Sequence, residues 1–240
     1  MEKNVYYGLF NRFSGLIWSI IGIFIIQMRR FDLALECFNR ALKLNPLNAR
    51  YWGYKCSPLV YLERYDEALE CCNKVLELNP HNAKYWNLKS FILDKLQRYD
   101  ETLNCINNAL KLKPHNKEYW LNKGLILFKL ERFDEALDCY NMALKLKPHS
   151  RKLLFKIWHF KSHALYKLER YDEALNCNNK ALKLGKNKIM WVYKAQILMK
   201  IGEKQEALQC INAALKLDPT YEKAMKVKKE LLKDDTEFNY

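Results

Sequence analysis

Eight cysteines and five histidines give this chain the side chains that could ligate a metal or attack an electrophile. His159 and His163 stand at i,i+4, which sets both on one face of a helix at the spacing a metal-binding pair uses. A zinc site needs further convergent ligands, and neither the Glu of an H-E-x-x-H motif nor a third ligand lies nearby in sequence. Six of the cysteines, Cys37, Cys71, Cys105, Cys139, Cys177 and Cys210, recur at one position of successive segments. Equivalent positions on stacked helices lie roughly 8–10 Å apart, beyond the ~7 Å Cα limit for a disulfide. They read as small core fillers of a reducing compartment. Nothing in the spacing suggests a base, an oxyanion site or a phosphate-cradling glycine loop, so no catalytic residue, metal or cofactor is expected.

The elements that carry these residues repeat. Trp18, Trp52, Trp86 and Trp120 are 34 apart, and Pro46, Pro80, Pro114 and Pro148 keep the same step. Gly22, Cys56, Ser90 and Gly124 follow the tryptophans, and Ala34, Ala68, Thr102 and Ala136 follow those. Trp158, Ser162, Ala174 and Ala181, then Trp191, Ala195, Ala207, Ala214 and Pro219, restore the pattern at altered spacing. A fixed period of this length is the mark of a stacked repeat architecture. Each period holds two amphipathic helical patterns, for example residues 83–96 and 100–112 around the turn at 97–99. Acidic residues such as Asp66, Glu67, Asp134 and Glu135 open the second pattern and lysines close it, complementing the helix dipole.

That Trp, small residue, Ala, Ala, Pro order resembles the tetratricopeptide repeat. The resemblance covers residues 15–221 as six units, 15–48, 49–82, 83–116, 117–150, 155–187 and 188–221, after an N-terminal segment 1–14. Residues 222–233 read as a capping helix, because a terminal repeat would otherwise expose core surface, and 234–240 as a tail. The resemblance implies an all-α, right-handed superhelical solenoid of antiparallel helix pairs, whose first helices line a concave groove that binds peptides or proteins without catalysis. Transferred residue by residue, the groove receives Lys84, Asn87, Phe91 and Lys95, then Leu121, Leu125, Phe128 and Lys129, then Lys156, His159, His163, Tyr166 and Lys167, and Lys200 from the last unit. Lysines beside apolar side chains suit a protein or peptide partner with acidic residues and an apolar anchor. The family's carboxylate-clamping subset is not implied. Asn122 and Lys156 match two of its places, but Asn87, Phe91 and Phe160 replace the Lys, Asn and Arg it needs.

A net charge of +14 raises nucleic acid as a partner. Lys43, Lys111, Lys145, Lys183 and Lys216 each lie in an ALKL segment at a helix C-terminus, so much of the charge has a structural reason, and no nucleic-acid partner is expected. Departures from the period mark the surface around units four and five: residues 151–154 are inserted, Gly185 ends a unit without its Pro, and Asn178 stands where Phe38, Ile106 and Tyr140 stand elsewhere. Pro58 falls inside a first helix, where it removes the hydrogen bond to Tyr54 and should kink the helix.

Residues 13–28 carry no charge and are bracketed by Arg12 and by Arg29 and Arg30. They fall in register as the first helix of unit one, yet Leu16, Ile21 and Ile26 stand where Lys84, Lys89 and Asp94 stand in unit three. Three covers for this greasy face are open: residues 5–13 folding back, a second copy in a homodimer through the first repeat, or a membrane. Sixteen residues make roughly 24 Å of helix, short of a full span. The expected location is cytoplasmic, with membrane association through residues 13–28 as the alternative.

Overall fold

The computed structural model describes residues 2–185 and 187–233, with side chains over 11–185 and 187–232. The tail, 234–240, lies outside the described residues. Among them are thirteen helices and no strand: α1 (Glu2–Gln27), α2 (Phe31–Leu44), α3 (Ala49–Tyr61), α4 (Tyr65–Leu78), α5 (Ala83–Lys95), α6 (Tyr99–Leu112), α7 (Lys117–Lys129), α8 (Phe133–Lys145), α9 (Arg151–Lys167), α10 (Tyr171–Leu184), α11 (Lys188–Lys200), α12 (Lys204–Leu217) and α13 (Glu222–Lys233). The chain divides into two compact units, Met1–Pro114 and His115–Tyr240. The first holds three helix pairs, α1/α2, α3/α4 and α5/α6, with each second helix of the first two pairs also packing on the next first helix. In the second unit α7/α8, α9/α10 and α11/α12 do the same, and α13 packs on α12 and α11.

Local chemistry explains the boundaries. The first helices begin behind a polar cap: the side chains of Asn48, Asn82, Asn116 and Asn187 accept from the backbone N–H two residues on, and Ser150 accepts from Leu153. Such a cap satisfies an N–H that the helix leaves unpaired and contributes about 1 kcal/mol. Within a pair, the turn needs one residue in the left-handed region. Arg29, Glu63, Gln97, Glu131 and Glu169 supply it at φ of 57° to 59°, and Gly202 at φ +86°. The second helices open on exposed Arg–Glu pairs, such as Arg64 with Glu67 and Arg132 with Glu135. Pairs this exposed contribute little to stability.

The tryptophans that set the period do their work at the junctions. Trp52 Nε1 donates to the Pro46 carbonyl and Trp86 Nε1 to the Pro80 carbonyl, both at 2.8 Å, tying each first helix to the loop before it. Lys55, Lys89, Lys123 and Lys161 set their ammonium groups 5.5 to 5.7 Å from the Trp ring centroids, a cation–π placement that accounts for more of the positive charge.

Inside the first and fourth pairs, a glycine of the first helix faces an aromatic ring of the second. A Cβ built on Gly22 would lie 2.6 Å from Phe38, and one on Gly124 2.5 Å from Tyr140. Phe38, Tyr140 and their counterparts Ile106 and Ile211 are wholly buried. Cys56 meets Cys72 at the same place, with the sulfurs 3.5 Å apart. All eight cysteines are free and buried. Burial pushes most of these thiols up, Cys139 and Cys210 to about 11, so they stay protonated and unreactive at neutral pH.

Three sequence expectations meet the structure here. α9 begins at Arg151, so the four inserted residues lengthen a first helix by about one turn, the length their number implies. Pro58 sits in the last turn of α3, which continues as one helix to Tyr61. Residues 5–13 do not fold back over α1: they continue it, because the helix runs unbroken from Glu2 to Gln27.

Candidate functional site

The best-developed surface lies on α7, α9 and α11 of the second unit. The rings of α9 are set at helical spacing, so Phe155, His159, His163 and Tyr166 share a face. His159 stacks on Phe155 at a centroid distance of 6.0 Å and meets His163 edge-on at 4.5 Å. His163 in turn lies flat on Tyr193 of α11, 3.8 Å away with 7° between the planes. Phe128 of α7 approaches its edge at 6.5 Å, and Tyr166 leans on Tyr193 at 5.5 Å. All of these rings except Tyr193 are half-buried. The result is one aromatic wall shared by three first helices.

Burial governs the protonation of that wall. The Nδ1 of His159 and the Nε2 of His163 are buried without a hydrogen-bond partner among the described residues. Desolvation lowers both pKa values, that of His163 to about 3, with neighbouring His159 and Lys167 pushing the same way. Both imidazoles are therefore neutral at physiological pH and behave as flat, weakly polar rings. Among the described residues no group of three metal-ligating side chains forms.

Lysines ring the wall. Lys156 and Lys167 of α9 and Lys200 of α11 are exposed and form no ion pair among the described residues. Leu125 is half-buried and Lys129 exposed on α7. Between α9, α11 and α13 the same surface deepens into a cavity of about 370 Å³, floored by His163, Tyr193 and Tyr221 and edged by Lys223, Lys226 and Glu230. That volume lies within the range of small-molecule and side-chain pockets.

In the first unit, α5 presents Lys84, Phe91 and Lys95 at the surface, with Asn87 half-buried. Phe91 is 44% accessible, and the Lys95 ammonium sits 5.6 Å from its ring. Leu121 does not belong to any such surface. It is 3% accessible and its side chain serves packing. The position after each Trp faces the neighbouring first helix, as Gly53 of α3 shows, where an added Cβ would strike the Tyr85 hydroxyl of α5. Sequence reasoning missed Tyr193 of α11, and it missed Tyr221, Lys223 and Lys226 because a capping helix reads as a solvated end. The one signal available was the placement of Lys223 and Lys226 three apart in 222–233.

Within each unit, helix pairs keyed by Trp and a small residue and packed on their sequence neighbours define a helical repeat protein. Family models described as tetratricopeptide repeat match residues 26–55, 59–82, 83–116, 118–150, 155–187 and 190–221, and the chain belongs to the tetratricopeptide repeat family. Comparison with curated protein sequences finds no match. Solved structures share the fold. PilW, a type IV pilus biogenesis factor, is similar at TM-score 0.76 and 19% identity, over 89% of this chain and 97% of that one. YrrB, described as having an unusual peptide-binding site, gives 0.65 and 20% over 81% and 99%. Cut9 with Hcn1, from the APC/C, gives 0.72 and 17% over 91% of this chain, which spans only 43% of that one.

Proposed function

We propose that this protein is a non-catalytic interaction scaffold whose first helices bind a segment of a partner protein, acidic and carrying an apolar anchor. The observation that carries the reading is the wall of Phe128, His159, His163, Tyr166 and Tyr193 bordered by Lys156, Lys167 and Lys200. Aromatic faces supply contact area at low entropic cost, while unpaired ammonium groups around them favour carboxylates and select against basic segments. Phe91 with Lys84 and Lys95 repeats that chemistry in the first unit. A peptide-binding site in a tetratricopeptide structure of similar fold supports the same use. Eight free, buried thiols fit a reducing compartment such as the cytoplasm.

Selection of random displayed peptides on the immobilised full chain tests the reading. The expected winners place Asp or Glu beside an aromatic or branched aliphatic residue, and lose at least ten-fold in affinity for the Lys156→Glu, Lys167→Glu, Lys200→Glu variant. Winners without acidic residues, or ones that bind that variant equally well, would overturn it.

A further inference from the structure

Between residues 13 and 28, α1 and the turn that ends it are apolar nearly all round, and a helix of that composition is normally covered on every side. Its own repeat covers one side. Gly15, Ser19 and Gly22 are buried, the Ser19 hydroxyl donating to the Leu16 carbonyl, and the Arg40 guanidinium lies 4.4 Å from the Trp18 ring centroid. On the other side Phe13, Leu16, Ile17, Ile20, Ile21 and Phe24 are exposed, Phe13 at 66% and Phe24 at 57%. Met28 extends the stripe to about 22 Å. Arg12 stands at one end and Arg29 and Arg30 at the other, all exposed, with no acidic residue between 11 and 31.

We propose that this face of α1 lies in the plane of an anionic phospholipid surface, the apolar stripe in the acyl boundary and the three arginines on headgroup phosphates. An in-plane helix needs one apolar face of this length and a basic border, which the molecule has. Spanning is a different geometry. No helix among the described residues is long and apolar enough to cross a membrane, and withdrawing α1 would uncover Ala34, Phe38 and Ala41, which are fully buried. A second copy fits the charges badly. Two-fold pairing of these faces sets Arg12 against Arg12 in parallel order, or against Arg29 and Arg30 in antiparallel order, with no carboxylate on the face to answer them. Each chain also carries a net charge of +14, which opposes self-association and favours an anionic surface.

Flotation of the full chain with phosphatidylcholine vesicles, with and without phosphatidylglycerol, tests this. The expected result is flotation with the anionic vesicles, weak flotation without them, and release by high salt or alkaline carbonate. Arg12→Gln, Arg29→Gln, Arg30→Gln together should lower partitioning about a hundred-fold, each arginine near the surface being worth roughly five-fold. Ile17→Asp with Ile20→Asp should abolish it, and thermal melts would check that these exposed substitutions leave the fold intact. If the aspartates unfold the repeat, the arginine variant carries the test alone. A chain that stays in solution with both vesicles overturns the proposal. So does a sedimenting dimer that Ile17→Asp dissociates, which gives the face to a second copy, or carbonate-resistant membrane retention, which makes it a span.

Discussion

In the fourth repeat Gly124 leaves a hollow that the Tyr140 ring fills, and in the fifth the equivalent Ser162 donates to the Ala174 carbonyl while Asn178 takes the place of the tyrosine. Both second-helix side chains are wholly buried, and both leave an oxygen without a partner among the described residues, Tyr140 Oη and Asn178 Oδ1. Their packing differs. Tyr140 supplies a full aromatic volume, whereas Asn178 supplies a small amide whose Nδ2 reaches the Met190 carbonyl only at 3.4 Å. The fifth repeat thus places a polar side chain in its core, while the fourth is packed as tightly as the first, where Phe38 closes on Gly22. The repeat whose first helix supplies most of the rings of the aromatic wall is the one that departs from the common core.

Truncating both residues measures that difference. Tyr140→Ala should cost ~3–5 kcal/mol of unfolding free energy, the usual range for losing a buried aromatic, and Asn178→Ala under ~1 kcal/mol because little packing is lost and an unpaired group leaves with it. Equal costs in urea titrations would mean the two cores are equivalent.

The pH dependence separates the same regions. The folded-state pKa of His163 lies near 3, below its ordinary value of about 6.5, so the unfolded chain binds a proton that the folded chain refuses. Its contribution is complete above pH ~6.5 and is lost as pH falls through that value toward ~3. Relative to His163→Phe, the parent chain should lose ~2–3 kcal/mol by about pH 4.5, carboxylate effects being common to both. Parallel stability curves would place His163 in contact with water. A smaller gain is expected from Tyr140→Phe and from Asn178→Ile, about 1 kcal/mol each in melting experiments, since Phe38 and Ile106 show that both side chains suit the position. The smallest effect belongs to the turns. Gln97→Gly should add ~0.5–1 kcal/mol, because Gln97 holds φ +58° where Gly202 meets no strain in the sixth repeat.

The size exchange was written in the sequence. The small column Gly22, Cys56, Ser90, Gly124, Ser162, Ala195 and the large column Phe38, Cys72, Ile106, Tyr140, Asn178, Ile211 keep a constant separation, and the two glycines stand opposite the two aromatic partners. The helix pairs were legible because Trp and Pro recur where a hydrogen bond must close each junction. The asparagine caps before four first helices emerged only with the structure. Leu121 was misplaced because a register carried over from a family says which column a residue occupies, whereas its burial depends on the neighbouring helix. The aromatic wall needed three dimensions, since Phe128, His163 and Tyr193 come from three helices. The cavity beside α13 needed them too, because nothing in its lysine spacing says that another helix stands opposite.

The junction bond has a further consequence for how such a chain can change in length. Pro46 and Trp52 are separated by the same step as Pro80 and Trp86, and Asn48 caps α3 as Asn82 caps α5. Deleting residues 49–82 would bring Pro46 and Asn48 up to Trp86 and Lys84 at the native spacing, so both the bond and the cap would re-form across the splice. Duplicating that block would do the same. The period is therefore a unit of recombination as well as of packing, and a gene encoding it can gain or lose whole repeats while every new seam inherits chemistry that already works.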